Sequence, residues 1–139
     1  MATIIAYQKY IDALITRELL MPTDESNNQI GTELATVVGI TYVCLPDGST
    51  LPSEQPQEIA STISVVTLTT EQIAEIKAAS PHVRLINNRV AKMIDVEYSM
   101  ADEIKLLRTA PSTEFDTYNA FIEYCRAWGN SEKAKIGLA

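Results

Sequence analysis

The first 21 residues alternate apolar and polar side chains with the period of a helix. Apolar residues recur at spacings of three and four, with polar residues between them; they are Ile4, Tyr7, Ile11, Leu14 and Ile15. Such spacing puts the apolar side chains on one face. The pattern predicts an N-terminal amphipathic helix over residues 1–21 that ends before Pro22. The polar segment PTDESNN, residues 22–28, is then expected to be a loop and a candidate hinge.

Two later segments are rich in β-branched residues, which favour strands. Residues 36–45 read TVVGITYVCL and stop at the turn signal PDG, and residues 61–68 read STISVVTL. The intervening LPSEQPQ cannot hold a central strand, because each proline removes a donor from the ladder. We predict a loop and a short β element over residues 22–68, in which the two runs can pair as antiparallel strands.

The second half of the chain is typical of four short amphipathic helices. The motif TTEQ, which begins at Thr69, is a capping box. Pro81 ends that first helix or opens the next, and Ser99 and Ser112 cap the two that follow. Gly129 is expected to end the last helix, and the tail NSEKAKIGLA to be frayed or docked on a partner.

These patterns together predict a single globular domain of the α+β class. It has an N-terminal helix, a short antiparallel β element, and a helical C-terminal half over residues 69–139. With 139 residues, of which 46% are hydrophobic, the chain can bury one core of its own.

Composition argues against several kinds of partner. Eleven basic residues are spread among eighteen acidic ones, and the net charge is −7. Phosphate groups and anionic membrane surfaces attract clustered Lys and Arg, so we expect neither nucleic acid nor a membrane as partner. Charged residues from Lys9 to Glu18 interrupt a signal-peptide core. We therefore expect an unsecreted, complete chain.

The residues suggest no catalytic, cofactor-binding or metal-binding set. His82, the single histidine, stands at a helix start, and Cys44 and Cys125 lack CxxC spacing and are expected to be buried thiols. The glycines form neither a Walker loop nor a GxGxxG motif. Helix capping and the helix dipole account for Ser99, Ser112, Asp102 and Glu103. We predict that the protein is not an enzyme; a small enzyme with a dispersed active site is one alternative.

Residues 79–129 resemble the C-terminal region of small proteins encoded beside tail-fibre genes in tailed bacteriophages and prophages. The motifs YSMADEIKLLR and YNAFIEYCRAWG carry the resemblance, and the preceding TLTTEQIAEIK is also similar. The resemblance implies a structural protein of the virion tail, attached to the fibre or baseplate and made in the host bacterial cytoplasm. A tail-fibre assembly chaperone, absent from the mature virion, is the alternative.

Two sets of residues are candidates for a protein interface. The first is the predicted N-terminal stripe of Ile4, Tyr7, Ile11 and Leu14, whose alternative role is packing on the chain's own C-terminal helices. The second is an exposed aromatic edge formed by Tyr124 and Trp128, four residues apart on the last helix. The expected partners are other phage tail or fibre proteins and further copies of this chain in a homo-oligomer.

Overall fold

The computed structural model describes residues 2–139 and shows an antiparallel sheet followed by a helical half. The strands are β1 (Thr3–Tyr7), β2 (Thr32–Val37), β3 (Ile40–Leu45) and β4 (Ser64–Val66), in the spatial order β2-β3-β1-β4. The helices are α1 (Gln57–Ala60), α2 (Thr70–Ala79), α3 (Pro81–Glu97), α4 (Met100–Arg108) and α5 (Thr113–Lys135). The chain is 46% helical and 17% strand. The predicted mixture of an antiparallel β element and a helical C-terminal half is confirmed.

The predicted N-terminal helix is wrong, because the chain begins with a strand. Ile4, Ile5, Ala6 and Tyr7 are all buried in β1, which lies between β3 and β4. Four consecutive buried side chains suit a strand covered on both faces, where successive residues point to opposite sides. Ile4 and Tyr7, three residues apart, therefore face opposite sides of the sheet and cannot share a helical stripe.

The strands of the β element also pair differently from the prediction. Residues 36–45 are not one strand, since Val38 and Gly39 form a two-residue turn that joins β2 to β3 as a hairpin. Both turn residues have positive φ, 49° and 79°, as a type I′ turn requires. The predicted strand within residues 61–68 is confirmed as β4, but it pairs with β1 and not with β3.

Each face of the sheet is covered by different elements. On one face, Ile4 and Ala6 of β1 pack with Ile76 of α2 and Val83 of α3. On the other face, Ile5 and Tyr7 pack with Leu19, Ile59 of α1 and part of β3. The helical half therefore lies on one side of the sheet, and the segment around Leu19 and α1 lies on the other.

The predicted capping signals of the helical half are confirmed. Thr69 and Gln72 form a reciprocal capping box at α2. The hydroxyl of Ser99 accepts a hydrogen bond from the Asp102 N–H at α4, and the hydroxyl of Ser112 accepts one from the Phe115 N–H at α5. These bonds satisfy N–H groups that a helix start leaves without partners.

Gly129 does not end α5, and the chain terminus is not frayed. The helix runs on to Lys135 and closes in a Schellman motif, in which Gly137 N–H donates to the Ala134 carbonyl and Leu138 N–H donates to that of Lys133. Leu138 is then fully buried in the cluster that contains Ile4. The C-terminus thus packs against the N-terminal strand.

Gly129 instead allows α3 and α5 to approach closely. A β-carbon at this position would lie 2.8 Å from Cγ2 of Val90. α3 begins at the sheet and α5 ends there, so the two helices run in opposite directions as an arm. No helix within residues 2–139 combines the length and apolar character needed to cross a membrane.

Replacing Gly129 with alanine should therefore destabilise the protein. Helix propensity alone favours alanine by about 1 kcal/mol, but the new methyl overlaps Val90, and overpacking costs about 1–3 kcal/mol. We expect a net loss in the free energy of unfolding, measured by urea denaturation. In a Val90→Ala background the same substitution should stabilise. A loss of equal size in both backgrounds would contradict the close-contact role.

Replacing Val38 with asparagine should stabilise the protein. Val38 is 94% exposed, so its side chain gains little from packing, and a β-branched residue at φ 49° is strained. Asparagine tolerates this conformation, and we expect a gain of about 1 kcal/mol in the free energy of unfolding. Val38→Ala is the control, because alanine also removes the β-branch but lacks the polar side chain that lets asparagine adopt this conformation. Equal stability of the two variants would show that the asparagine side chain contributes nothing at this position.

Candidate protein interface

Exposed apolar side chains gather on a tight loop that follows β1. We call residues 10–16 the apolar loop; they are joined at their base by a bridge between Tyr10 and Thr16. Leu14 at its tip is 94% exposed. Its neighbours on the loop are also exposed; they are Tyr10, Ile11 and Ile15. Leaving four large apolar residues in solvent is unfavourable for an isolated chain, and such patches commonly mark binding sites.

The apolar loop is held in one conformation by Asp12. One carboxylate oxygen of Asp12 accepts hydrogen bonds from the N–H groups of Leu14, at 2.8 Å, and Ile15, at 2.9 Å. The N–H of Ile11 donates to the Ile15 carbonyl at 3.0 Å. This Asx-type turn fixes the backbone that carries Leu14. A loop ordered before binding loses less conformational entropy when a partner binds.

The residues that flank the loop attach it to the sheet and to α1. Lys9 forms ion pairs with Glu33 of β2 at 3.3 Å and with Glu18 at 3.8 Å, and Arg17 pairs with Glu58 of α1 at 3.3 Å. Burial opposes the charged form of Lys9, but the hydrogen bond to Glu33 and its negative charge raise the Lys9 pKa above the usual value. The base of the loop is thus fixed on the face of the sheet that carries α1.

Two backbone anchors complete the attachment. The Leu19 N–H donates to the hydroxyl of Tyr7 at 3.3 Å, and the side chain of Gln55 bonds both the N–H and the carbonyl of Leu20. Burial is the main reason that the Tyr7 pKa is raised, so its hydroxyl stays neutral near neutral pH. Tyr7 therefore acts as a structural support for the loop from within the core.

A second surface is a groove between α3 and α5, which we call the arm groove. It has a volume of about 530 Å³ and an apolar lining. Its apolar lining residues are Met93, Val96, Phe121 and Trp128. Its charged lining residues are Arg89, Lys92 and Glu97. Val96 is 73% exposed, so the groove presents apolar area directly to solvent.

The basic side chains of the arm groove are available to a partner. Within residues 2–139, the side chains of Arg89 and Lys92 form no ion pair or hydrogen bond. Lys9 and Arg17, which flank the apolar loop, are by contrast already paired. An apolar groove with two unpaired cations at its rim suits a ligand that is apolar and acidic.

A third exposed surface lies on α4. Met100, Ile104 and Leu107 follow one face of this helix and are exposed. The same helix is attached to α5 through Glu103, whose carboxylate accepts a hydrogen bond from the Tyr118 hydroxyl at 2.8 Å. The Tyr98 and Tyr118 rings also meet edge to face at 4.9 Å. The hydrogen bond to Glu103 is the main cause that raises the Tyr118 pKa.

The histidine and the two cysteines, which are the usual catalytic or metal-binding residue types, lie apart from one another. His82 is exposed and lines a cavity of about 490 Å³ beside β2, together with Glu33, which is bonded to Lys9. Cys44 and Cys125 are both buried, as predicted, and they form no disulfide with each other. Burial raises the pKa of each thiol, which disfavours the reactive thiolate. Among residues 2–139, no three His, Cys, Asp or Glu side chains come together as a metal site would need.

The predicted interface residues separate into two groups. Ile4 and Tyr7 lie in the core, on opposite faces of β1, so the four-residue stripe does not form. Ile11 and Leu14 are exposed on the apolar loop, Tyr124 is 63% exposed on α5, and Trp128 lines the arm groove.

Sequence reasoning missed the α3 side of the groove. Arg89, Lys92, Met93 and Val96 follow helical spacing on one face of α3. Two cations and two apolar residues at this spacing indicate a mixed surface on one face of a helix, and this pattern could have predicted the α3 side of the groove.

Comparison with protein-family models, with curated proteins and with solved structures finds no match for this chain.

Removing the Asp12 carboxylate should loosen the apolar loop without unfolding the domain. In Asp12→Ala the N–H groups of Leu14 and Ile15 lose their acceptor, so their amide hydrogens should exchange with solvent at least about tenfold faster. In Asp12→Asn the amide oxygen can still accept both bonds, and exchange should stay near wild type. Equal exchange rates in the two variants would show that the turn does not depend on this carboxylate.

Proposed function

We propose that this protein is a non-catalytic structural component of a bacteriophage tail, attached to the fibre or baseplate, and that it works by binding other proteins. The observation that carries the proposal is the apolar loop, which is exposed and is closed by two hydrogen bonds to Asp12. A loop that only connected two elements would not need four large apolar side chains in solvent.

The arm groove and the α4 stripe support a binding role as well. Each presents apolar side chains on a helix held by tertiary contacts, at Gly129 for the groove and at Glu103 for α4. Interface centres are enriched in aromatic residues, Met and Arg, and the groove contains all three kinds. Three separate exposed surfaces are what a protein needs if it touches several neighbours in an assembly.

The resemblance of residues 79–129 to proteins encoded beside tail-fibre genes is the reason for proposing a phage tail as the place where this protein works. The resembling segment spans α3, α4 and most of α5, which carry the arm groove and the α4 stripe. We therefore expect these helical surfaces to be the part of the protein that contacts the tail or fibre. The partners would be other phage tail or fibre proteins.

The proposal is tested by quantitative mass spectrometry of purified phage particles. We expect peptides of this protein in intact particles, in a fixed ratio to the other tail proteins, after a salt wash that removes loosely bound material. A matched preparation of tail-less heads should lack them. Absence from intact particles would overturn the structural role, and co-purification with the unassembled fibre protein would then favour the assembly chaperone.

A further inference from the structure

We propose that the apolar loop of one copy of this protein binds in the arm groove of a second copy. The inference concerns self-association and does not depend on the tail role proposed above. It rests on three properties of the two surfaces: their charges, their apolar content and their positions in the fold.

The charges of the two surfaces are opposite. The loop carries Asp12, one of whose carboxylate oxygens holds the turn while the other has no cation partner within residues 2–139. The groove carries Arg89 and Lys92, also without partners in the described chain. In a protein of net charge −7, two unpaired cations three residues apart on one helix can attract a carboxylate. Glu97 at the end of the groove favours placing Asp12 toward Arg89 and Lys92.

The apolar parts of the two surfaces are a projecting loop tip and a shallow groove. Leu14 projects from the loop tip with Ile15 beside it, and both are exposed. The groove is shallow and offers Met93, Val96 and Trp128 along a largely apolar lining, against which these two aliphatic side chains can pack. Met and Trp are favoured linings for aliphatic ligands, because the first adapts its shape and the second supplies a large flat surface.

The two surfaces cannot satisfy each other within one chain. The loop is tied by Lys9 and Arg17 to the face of the sheet that carries α1, whereas α3 packs on the opposite face through Val83. A loop can therefore reach a groove only in another copy. The contact joins two different patches and is heterologous, so it leads to rings or open chains of copies.

One loop in one groove buries less area than a permanent interface needs, so a weak, salt-sensitive association is expected. The association is measured by sedimentation velocity on the full chain, at concentrations up to about 1 mM.

Wild type should form species larger than a dimer as its concentration rises. Leu14→Asp, which removes the loop contact, and Val96→Asp, which places an acid in the groove, should each weaken association by at least about tenfold. Both positions are exposed, so both variants should keep the wild-type Tm.

Mixing the two variants tests the loop-to-groove pairing itself. Leu14→Asp keeps an intact groove and Val96→Asp keeps an intact loop, so the mixture should form a one-to-one dimer that grows no further. Leu107→Asp on α4 is the matched control for an exposed apolar residue outside the contact, and it should associate like wild type. Asp12→Asn, which keeps the turn, should associate more weakly at low salt and lose most of the salt dependence.

The proposal is overturned if wild type stays a monomer across this range, or if either variant associates as wild type does. It is also overturned if the mixed variants form no dimer, since an interface between identical patches would behave in that way. If the groove instead binds a different protein, wild type alone should sediment as a monomer.

Discussion

The burial of β1 on both of its faces is the constraint on which the rest of the structure depends. Ile4 and Ala6 hold the helical half on one side of the sheet, and Ile5 and Tyr7 hold the segment around Leu19 and α1 on the other. Burying four side chains of this kind contributes several kcal/mol, at about 25 cal/mol per Å² of apolar area. Leu138 packs in the same cluster as Ile4, so the two ends of the chain share one core.

This arrangement also determines where the exposed apolar residues lie. Because Tyr7 ends β1 within the core, the chain leaves the sheet directly into the apolar loop, and the Tyr7 hydroxyl supports the return of the chain at Leu19. The arm of α3 and α5 extends from the opposite face, with Gly129 setting its close packing. The loop and the arm groove are thus held rigidly on opposite sides of one domain, a geometry suited to contacts between successive copies or neighbours in an assembly.

The helical half was readable from sequence because its signals are local. Each helix start is specified by a cap only three residues away from its bonding partner, as at Thr69, Ser99 and Ser112. The role of Gly129 was not readable, because it depends on Val90 of another helix. Leu138 was likewise missed, since its burial requires the sheet to be in place.

The N-terminal error has a specific physical cause. Helical spacing through Ile4, Tyr7 and Ile11 also fits a strand followed by a turn, and the adjacent run Ile4 to Tyr7 was the better signal for a strand buried on both faces. The β2–β3 hairpin was missed because Val38 occupies a conformation that favours asparagine or glycine. Of the residues predicted for an interface, Ile11, Leu14 and Tyr124 are exposed and Trp128 lines the arm groove, but their surroundings depend on the fold.

The most direct test of this account is a nuclear magnetic resonance titration that locates the contact. Isotope-labelled Leu14→Asp protein, whose groove is intact, is titrated with unlabelled Val96→Asp protein, whose loop is intact. Trp128 is the only tryptophan, so its indole N–H gives one assignable signal in the groove. The account predicts that this signal and the amides around Arg89 and Met93 shift, while those of α4 stay fixed. Shifts confined to other surfaces, or no shifts at all, would contradict it.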